Sequence, residues 1–478
     1  MMQEIKARRY RSPLLISAVA MLSMLLMSCG GGSQSNNSVN DQTNPALGNN
    51  TVPIVAGANS AGGPNGLFTS VTVCTPSVLP VGQNPIYGPP PAPTCQTISN
   101  ILVDTNSVGL RLIHTPTVDS LGLPFVTDSN NNPLHECVQF ADLSYVWGRV
   151  ARATIQMAGE EAAQVPLPYE TAGTGIPIQV IYSNLDTGIA VPADCLSSPP
   201  SGGAPVAANS LETLGGAGIL GVGTLPQDCG AACASTPPPN QYYFCPSGLC
   251  TVASIGQNVQ VWNPVAAFPD DNNGLSLSLF NLPAPGGSTS INGSMTFGIG
   301  TQSDNALNEL VTVYGIDSYG NFAEVTLIEP NLIDPSLPPT IYVSYLSPQN
   351  GSYIDSGSPA IYFSDWQSLG VPECPEDSGQ PRALYCPTAM TGYSANLYGA
   401  NTAKGTFGWN IGNADKLLNS GNSVFNNLGG DSGINISTDY VDLGLPFFFG
   451  HTVYVGFAGI STAYPQPAAT YPNGYWAF

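Results

Sequence analysis

Ile101-Leu102-Val103-Asp104-Thr105-Asn106-Ser107-Val108-Gly109-Leu110 and Ser352-Tyr353-Ile354-Asp355-Ser356-Gly357-Ser358-Pro359-Ala360-Ile361 follow one plan. Each runs an apolar strand end into an Asp, a small hydroxyl residue, a turn residue and a Ser, with an apolar residue three places on. One such run carries little, because Asp and Ser are ordinary turn residues. Two of them, one in each half of the chain, predict a duplicated lobe that presents one Asp from each copy.

Outward from these loops, strand-like runs recur between turn clusters at 68–73, 101–103, 150–157, 178–181, 276–280, 294–298, 310–314, 324–328, 340–345, 360–363 and 451–457. Helical periodicity is nearly absent. Residues 143–165 contain helix formers, but Val150-Ala151-Arg152-Ala153-Thr154-Ile155-Gln156-Met157 alternates, which favours a strand. Charged residues make up only 9% of the chain against 53 glycines and 44 prolines, so the surface must be built from Ser, Thr, Asn and Gln on short strands and turns. That usage predicts an all-β extracytoplasmic protein.

Lys6, Arg8, Arg9 and Arg11 precede an apolar run from Leu14 to Met27, shorter than the ~20 residues needed to span a bilayer. The run ends in Leu26-Met27-Ser28-Cys29, which resembles the bacterial lipobox. The resemblance implies a signal peptide over 1–28, cleavage before Cys29, and lipid on its thiol; the alternative is an ordinary signal peptide with a chance cysteine. Two or more acyl chains, at about 0.8 kcal/mol per buried methylene, would hold the chain at a membrane. Gly30 in place of Asp implies the outer membrane of a Gram-negative bacterium. Residues 29–61 are rich in Gly, Ser, Asn, Gln and Thr and predict a flexible tether. The whole chain carries a formal charge of −21, and four of its ten Lys and Arg lie in the signal. The mature chain is more acidic still, which argues against nucleic acid and against docking on anionic lipid.

With Cys29 set aside, ten cysteines remain: Cys74, Cys95, Cys137, Cys195, Cys229, Cys233, Cys245, Cys250, Cys374 and Cys386. An even number in an exported chain predicts disulfides. Cys245 with Cys250 and Cys374 with Cys386 are the expected local pairs, and the remaining connectivity is open. No C-x-x-C spacing occurs and His114, His135 and His451 are scattered, so no metal or other cofactor is expected.

The paired Asp loops resemble the active-site loops of pepsin-like aspartic peptidases, which carry one per lobe. Other segments fall in that family's order. Gly218-Ile219-Leu220-Gly221-Val222-Gly223 is similar to the segment passing behind the first loop. Gly293-Ser294-Met295-Thr296-Phe297-Gly298-Ile299-Gly300 is similar to the strand opening the second lobe, and Leu443-Gly444-Leu445-Pro446-Phe447-Phe448-Phe449-Gly450 to its late counterpart. The resemblance implies a bilobal double barrel: an N-terminal lobe over 62–280 with a Cys-rich insertion at 195–250, and a C-terminal lobe over 281–478. It implies Asp104 and Asp355 as the catalytic pair, Ser107 and Ser358 bonded to their outer oxygens, and Thr105 and Ser356 bracing the loops. The flap falls at Cys137-Val138-Gln139-Phe140-Ala141-Asp142-Leu143-Ser144-Tyr145-Val146-Trp147-Gly148, with Phe140 at the position of the family's Tyr and Tyr145 nearby. This chain departs from the pattern there and at Asn106, where the family has Gly. The whole chain, including its ending Tyr475-Trp476-Ala477-Phe478, also looks like a bacterial lipoprotein family of unknown function.

Two readings follow, an aspartic-type endopeptidase acting on polypeptide, or a catalytically silent protein binding a peptide or glycan in the cell envelope. Oligomeric state stays open. Gly216-Ala217-Gly218-Ile219-Leu220-Gly221 fits G-x-G-x-x-G, but Val222-Gly223-Thr224-Leu225-Pro226 is a poor helix start, so a nucleotide site is not expected. Asp128-Ser129-Asn130-Asn131-Asn132 and Asp270-Asp271-Asn272-Asn273-Gly274 lack the closing Glu of a calcium loop and predict solvated turns. Neither G-x-S-x-G nor H-E-x-x-H occurs. Phe447-Phe448-Phe449 predicts a buried strand.

Overall fold

Strands, some alternating in burial and others buried along their whole length, recur throughout the computed structural model, which describes residues 48–78, 94–166, 173–182, 189–196, 205–282, 286–329, 340–346, 351–364, 371–375, 383–432, 440–459 and 471–478. Signal, lipidation site and most of the expected tether lie outside these residues. Among the described residues, α-helix is confined to Pro116–Asp119, Leu211–Leu214 and Ala414–Leu418. The protein is all-β: the described residues form one sheet of 17 strands and two of four strands each. Every strand-like run read from the sequence overlaps a strand, and the disputed stretch forms the 14-residue strand Ser144–Met157.

The large sheet is held by strands distant in sequence. Thr51–Gly57 pairs antiparallel with Ile291–Phe297 on one side and Gly66–Cys74 on the other. Gly274–Leu279 pairs with Ile291–Phe297 and Thr452–Gly456, so the sheet runs across residue 280. Inward positions alternate as strand geometry requires: Val52, Ile54 and Ala56; Leu275, Leu277 and Leu279; Ile291, Met295 and Phe297; Val453 and Val455. All belong to one continuous core, from which water is excluded at about 25 cal/mol per Å² of apolar surface.

Three expectations are corrected. Thr51–Gly57, assigned to the tether, is a paired strand because Val52, Ile54 and Ala56 supply an alternating apolar face. Pro53, which has no N–H to donate, is exposed, and its carbonyl accepts the Thr69 hydroxyl at 3.0 Å. Leu445–Phe448 is a buried 3-10 turn rather than a strand, with Pro446 near its start. Asp271 is buried rather than solvated and accepts from Thr301 Oγ1 and Gln302 Nε2.

All ten cysteines pair: Cys74–Cys95, Cys137–Cys195, Cys229–Cys233, Cys245–Cys250 and Cys374–Cys386. The two local pairs expected from spacing are among them.

Candidate active site

Each Asp loop is presented by the same strand arrangement. Gly218–Val222 lies between the strands flanking the first loop, parallel to Cys95–Asp104 with Gly221 opposite Asp104, and antiparallel to Val108–Ile113. Asp442–Leu443 lies likewise between Tyr353–Ile354 and Ile361–Tyr362, parallel to the first and antiparallel to the second. The glycine ending each apolar segment is required by close approach. A Cβ on Gly221 would sit 2.6 Å from Val108 N, and one on Gly444 would sit 2.0 Å from Ala360 O.

The loops meet tip to tip. Thr105 Oγ1 donates to Ile354 O at 3.1 Å and accepts from Ser356 N at 3.0 Å. Reciprocally, Ser356 Oγ donates to Val103 O at 2.7 Å and accepts from Thr105 N at 3.1 Å. Both hydroxyl residues are 1% exposed, so these bonds are shielded from water. Asp104 Oδ1 accepts from Asn106 N at 2.8 Å and Ser107 N at 3.2 Å, while Oδ2 accepts from Ser107 Oγ at 2.5 Å. Asp355 Oδ1 accepts from Gly357 N at 2.8 Å, and Ser358 Oγ lies 2.8 Å from Oδ2.

Gly357 measures how close the carboxyls are. A Cβ placed on it would lie 3.1 Å from Asp104 Oδ1 and 3.1 Å from Asp355 Oδ1, so the two oxygens can be no farther apart than twice that distance. It would also lie 2.9 Å from Asp104 Cγ, which explains Gly at this position by space alone. Neither Gly357 nor Asn106 adopts a positive φ, so Asn106 needs no left-handed backbone to replace glycine.

Above the carboxyls is a cavity of about 290 Å³, lined by Asp104, Asp355, Asn106, Ile219, Phe140 and Tyr362 among others. Phe140 sits at the turn between Leu134–Gln139 and Ser144–Met157, where Phe140 N donates to Ser144 O at 2.8 Å and Asp142 Oδ1 caps Ser144 N at 2.9 Å. Tyr145 is not brought to the cavity. It packs with Cys137, Trp147 and Cys195 in a satellite cluster, because strand alternation turns it away from the hairpin tip.

Two features of the site had no motif to announce them. Asp442 is 0% exposed, and its Oδ2 lies 2.7 Å from Ser358 Oγ. A second cavity of about 500 Å³, also lined by Phe140, reaches Arg111, Asp228 and Gln241. Arg111 bonds Glu136 at 2.8 Å and Asp228 at 3.0 Å, and Tyr242 Oη donates to Asp228 Oδ1 at 2.7 Å. Burial and the adjacent Glu136 push the Asp228 carboxyl well above its usual range, against the opposing pull of Arg111 and Tyr242.

Fold and site define an all-β protein with two braced Asp loops opening on one cavity. The chain belongs to the family described as "Protein of unknown function (DUF3443)", whose model matches residues 46–478. No curated protein matches it. Among solved structures it is similar, at 11% identity, to the chain of "Crystal structure of edgp", with 91% of this chain and 95% of that one covered at a TM-score of 0.35.

Proposed function

We propose that this chain is a lipid-anchored endopeptidase of the aspartic type, its two lobes meeting at the cavity between Asp104 and Asp355. The observation that carries the reading is the convergence of two Asp side chains, from loops of like strand order, on one point beside Gly357. On this reading the two carboxyls share a proton between them. The member without it takes a proton from a bound water as the water oxygen attacks a peptide carbonyl, and the member holding it donates to the carbonyl oxygen. Collapse of the tetrahedral adduct breaks the C–N bond, with the amine leaving protonated and the pair returned to one proton. The cavity's mix of Leu102, Ile219 and Phe140 with polar loop groups suits an extended polypeptide.

The test is cleavage of an unfolded protein at acidic pH. Asp104→Asn and Asp355→Asn each are expected to lower turnover at least about 100-fold. Cleavage that persists in the double variant would sink the proposal. The second reading, a silent cleft that binds a peptide or glycan, is favoured by the Asn106 side chain beside Asp104 and by a phenyl ring at position 140, which offers no hydroxyl. It expects ligand retention with no turnover in the wild type.

The anchor belongs to the same proposal, with lipid on Cys29 and an outer-membrane location in a Gram-negative cell. Cys29→Ser is expected to move the protein from the membrane to the soluble fraction, and a variant still sedimenting with membranes would remove the anchor from the account.

A further inference from the structure

We propose that Asp442 is a third carboxyl of the site, a positioning residue that shares a proton with Asp355 through the Ser358 hydroxyl; its effect on turnover rests on the peptidase reading, its effect on the carboxyls does not. Ser358 Oγ lies 2.8 Å from Asp355 Oδ2 and 2.7 Å from Asp442 Oδ2. A serine hydroxyl has one proton and can donate to only one of them. The other contact closes as a hydrogen bond only if that carboxyl carries a proton and donates to Oγ. With both carboxyls ionised, an anionic oxygen would face the serine lone pairs where Asp442 is 0% and Ser358 5% exposed, and little water is present to screen the repulsion.

The other half of the site lacks this arrangement. Ser107 Oγ bonds Asp104 Oδ2, and the strand behind that loop reads Ile219-Leu220-Gly221 where the second reads Asp442-Leu443-Gly444. An aliphatic side chain in one copy is thus replaced by a carboxyl in the other. Asp355 lies across Ser358 from Asp442, and Tyr353 and Tyr362 stand opposite Asp442 in register. Tyr440 stacks on Tyr353, and Asp104 lies beyond Asp355. Phenols stay neutral through the acid range, with ordinary pKa values near 10, so these rings add no charge there. Negative charge on Asp442 makes Asp355 hold its proton to higher pH than Asp355 would by itself.

The experiment compares wild type, Asp442→Asn and Ser358→Ala. Asparagine keeps the size and can still donate to Ser358 Oγ, but contributes no charge. The readouts are the pH–rate profile and the titration of ¹³Cγ-labelled aspartates by NMR. In Asp442→Asn, the limb on which turnover is lost with rising pH is expected to move down by about one pH unit, the scale on which interacting sites become coupled. The Asp355 resonance should move with it, and Ser358→Ala should uncouple Asp355 from Asp442. A folded Asp442→Asn whose Asp355 titration and pH limb both match the wild type, with turnover lowered equally at every pH, reduces Asp442 to a structural brace and overturns the proposal. Asp442→Leu, which copies the first half, repeats the measurement should Asn fail to fold. A shifted Asp355 resonance in a protein that never cleaves supports the three-carboxyl unit and removes the peptidase reading. Cleavage with an unmoved resonance does the reverse.

Discussion

Thr105 and Ser356 each satisfy two backbone groups of the opposite loop with a single hydroxyl. Thr105→Val keeps the shape but strips the partner from Ser356 N and Ile354 O, both at a buried junction. A buried polar group left without its bond costs about 1–3 kcal/mol, so the variant should lose about 2–4 kcal/mol in urea unfolding, and Thr105→Ser should recover most of it. A loss under ~0.5 kcal/mol would mean that the brace contributes little to holding the loops. Thr105, Ser107, Ser356 and Ser358 were legible because a motif constrains each position relative to its Asp. Asp442 was not, since an Asp in Val441-Asp442-Leu443-Gly444 reads as a turn residue. Setting Ile219-Leu220-Gly221 beside Asp442-Leu443-Gly444 would have exposed the one position where a carboxyl replaces an aliphatic group. Tyr145 erred the other way: proximity in sequence suggested the cavity, and strand alternation turned the ring elsewhere.

Among the elements, strands with strong apolar alternation were legible and weakly apolar ones were not. Thr391–Tyr398 and Lys404–Ile411 pair over their full lengths, yet only Tyr393, Ala395 and Leu397 on the first and Trp409 and Ile411 on the second are buried. Gly392, Gly405 and Gly408 further dilute the period-2 signal. Thr51–Gly57 was hidden by Pro53 and by the polar stretch before it, and its pairing with Ile291–Phe297 spans about half the chain. No local window contains that information. Cysteine spacing behaved in the same manner. Cys245–Cys250 and Cys374–Cys386 close short loops and could be paired from separation, whereas Cys137–Cys195 depends on where the hairpin carrying Phe140 comes to lie.

For the whole molecule, acid pH is a contest between groups of opposite sign. A chain of formal charge −21 repels itself less as carboxylates are neutralised. Asp228, whose carboxyl is raised by burial and by Glu136, adds stability that is present in acid and lost as pH rises. His135 works against both. It is 0% exposed, stacks on Trp147 with ring centroids 5.2 Å apart, and its Nδ1 donates to Pro133 O at 3.0 Å. Burial pushes it down to about 4, from an ordinary value near 6.5. Between those values the unfolded chain binds a proton that the folded chain refuses, so stability falls as pH drops through the window and the loss is complete below it. At about 1.4 kcal/mol per pH unit, the loss is about 3 kcal/mol. His135→Phe keeps the aromatic stack and removes this slope, at a cost of about 1 kcal/mol for the bond to Pro133. The wild type should therefore be the more stable by about 1 kcal/mol at neutral pH and the less stable by about 2 kcal/mol near pH 4, read by urea unfolding at both. An equal difference at the two pH values would show that His135 does not set the acid limit. If the order reverses as expected, the folded range of a protein proposed to work in acid is bounded by one buried imidazole on the strand that leads to Phe140.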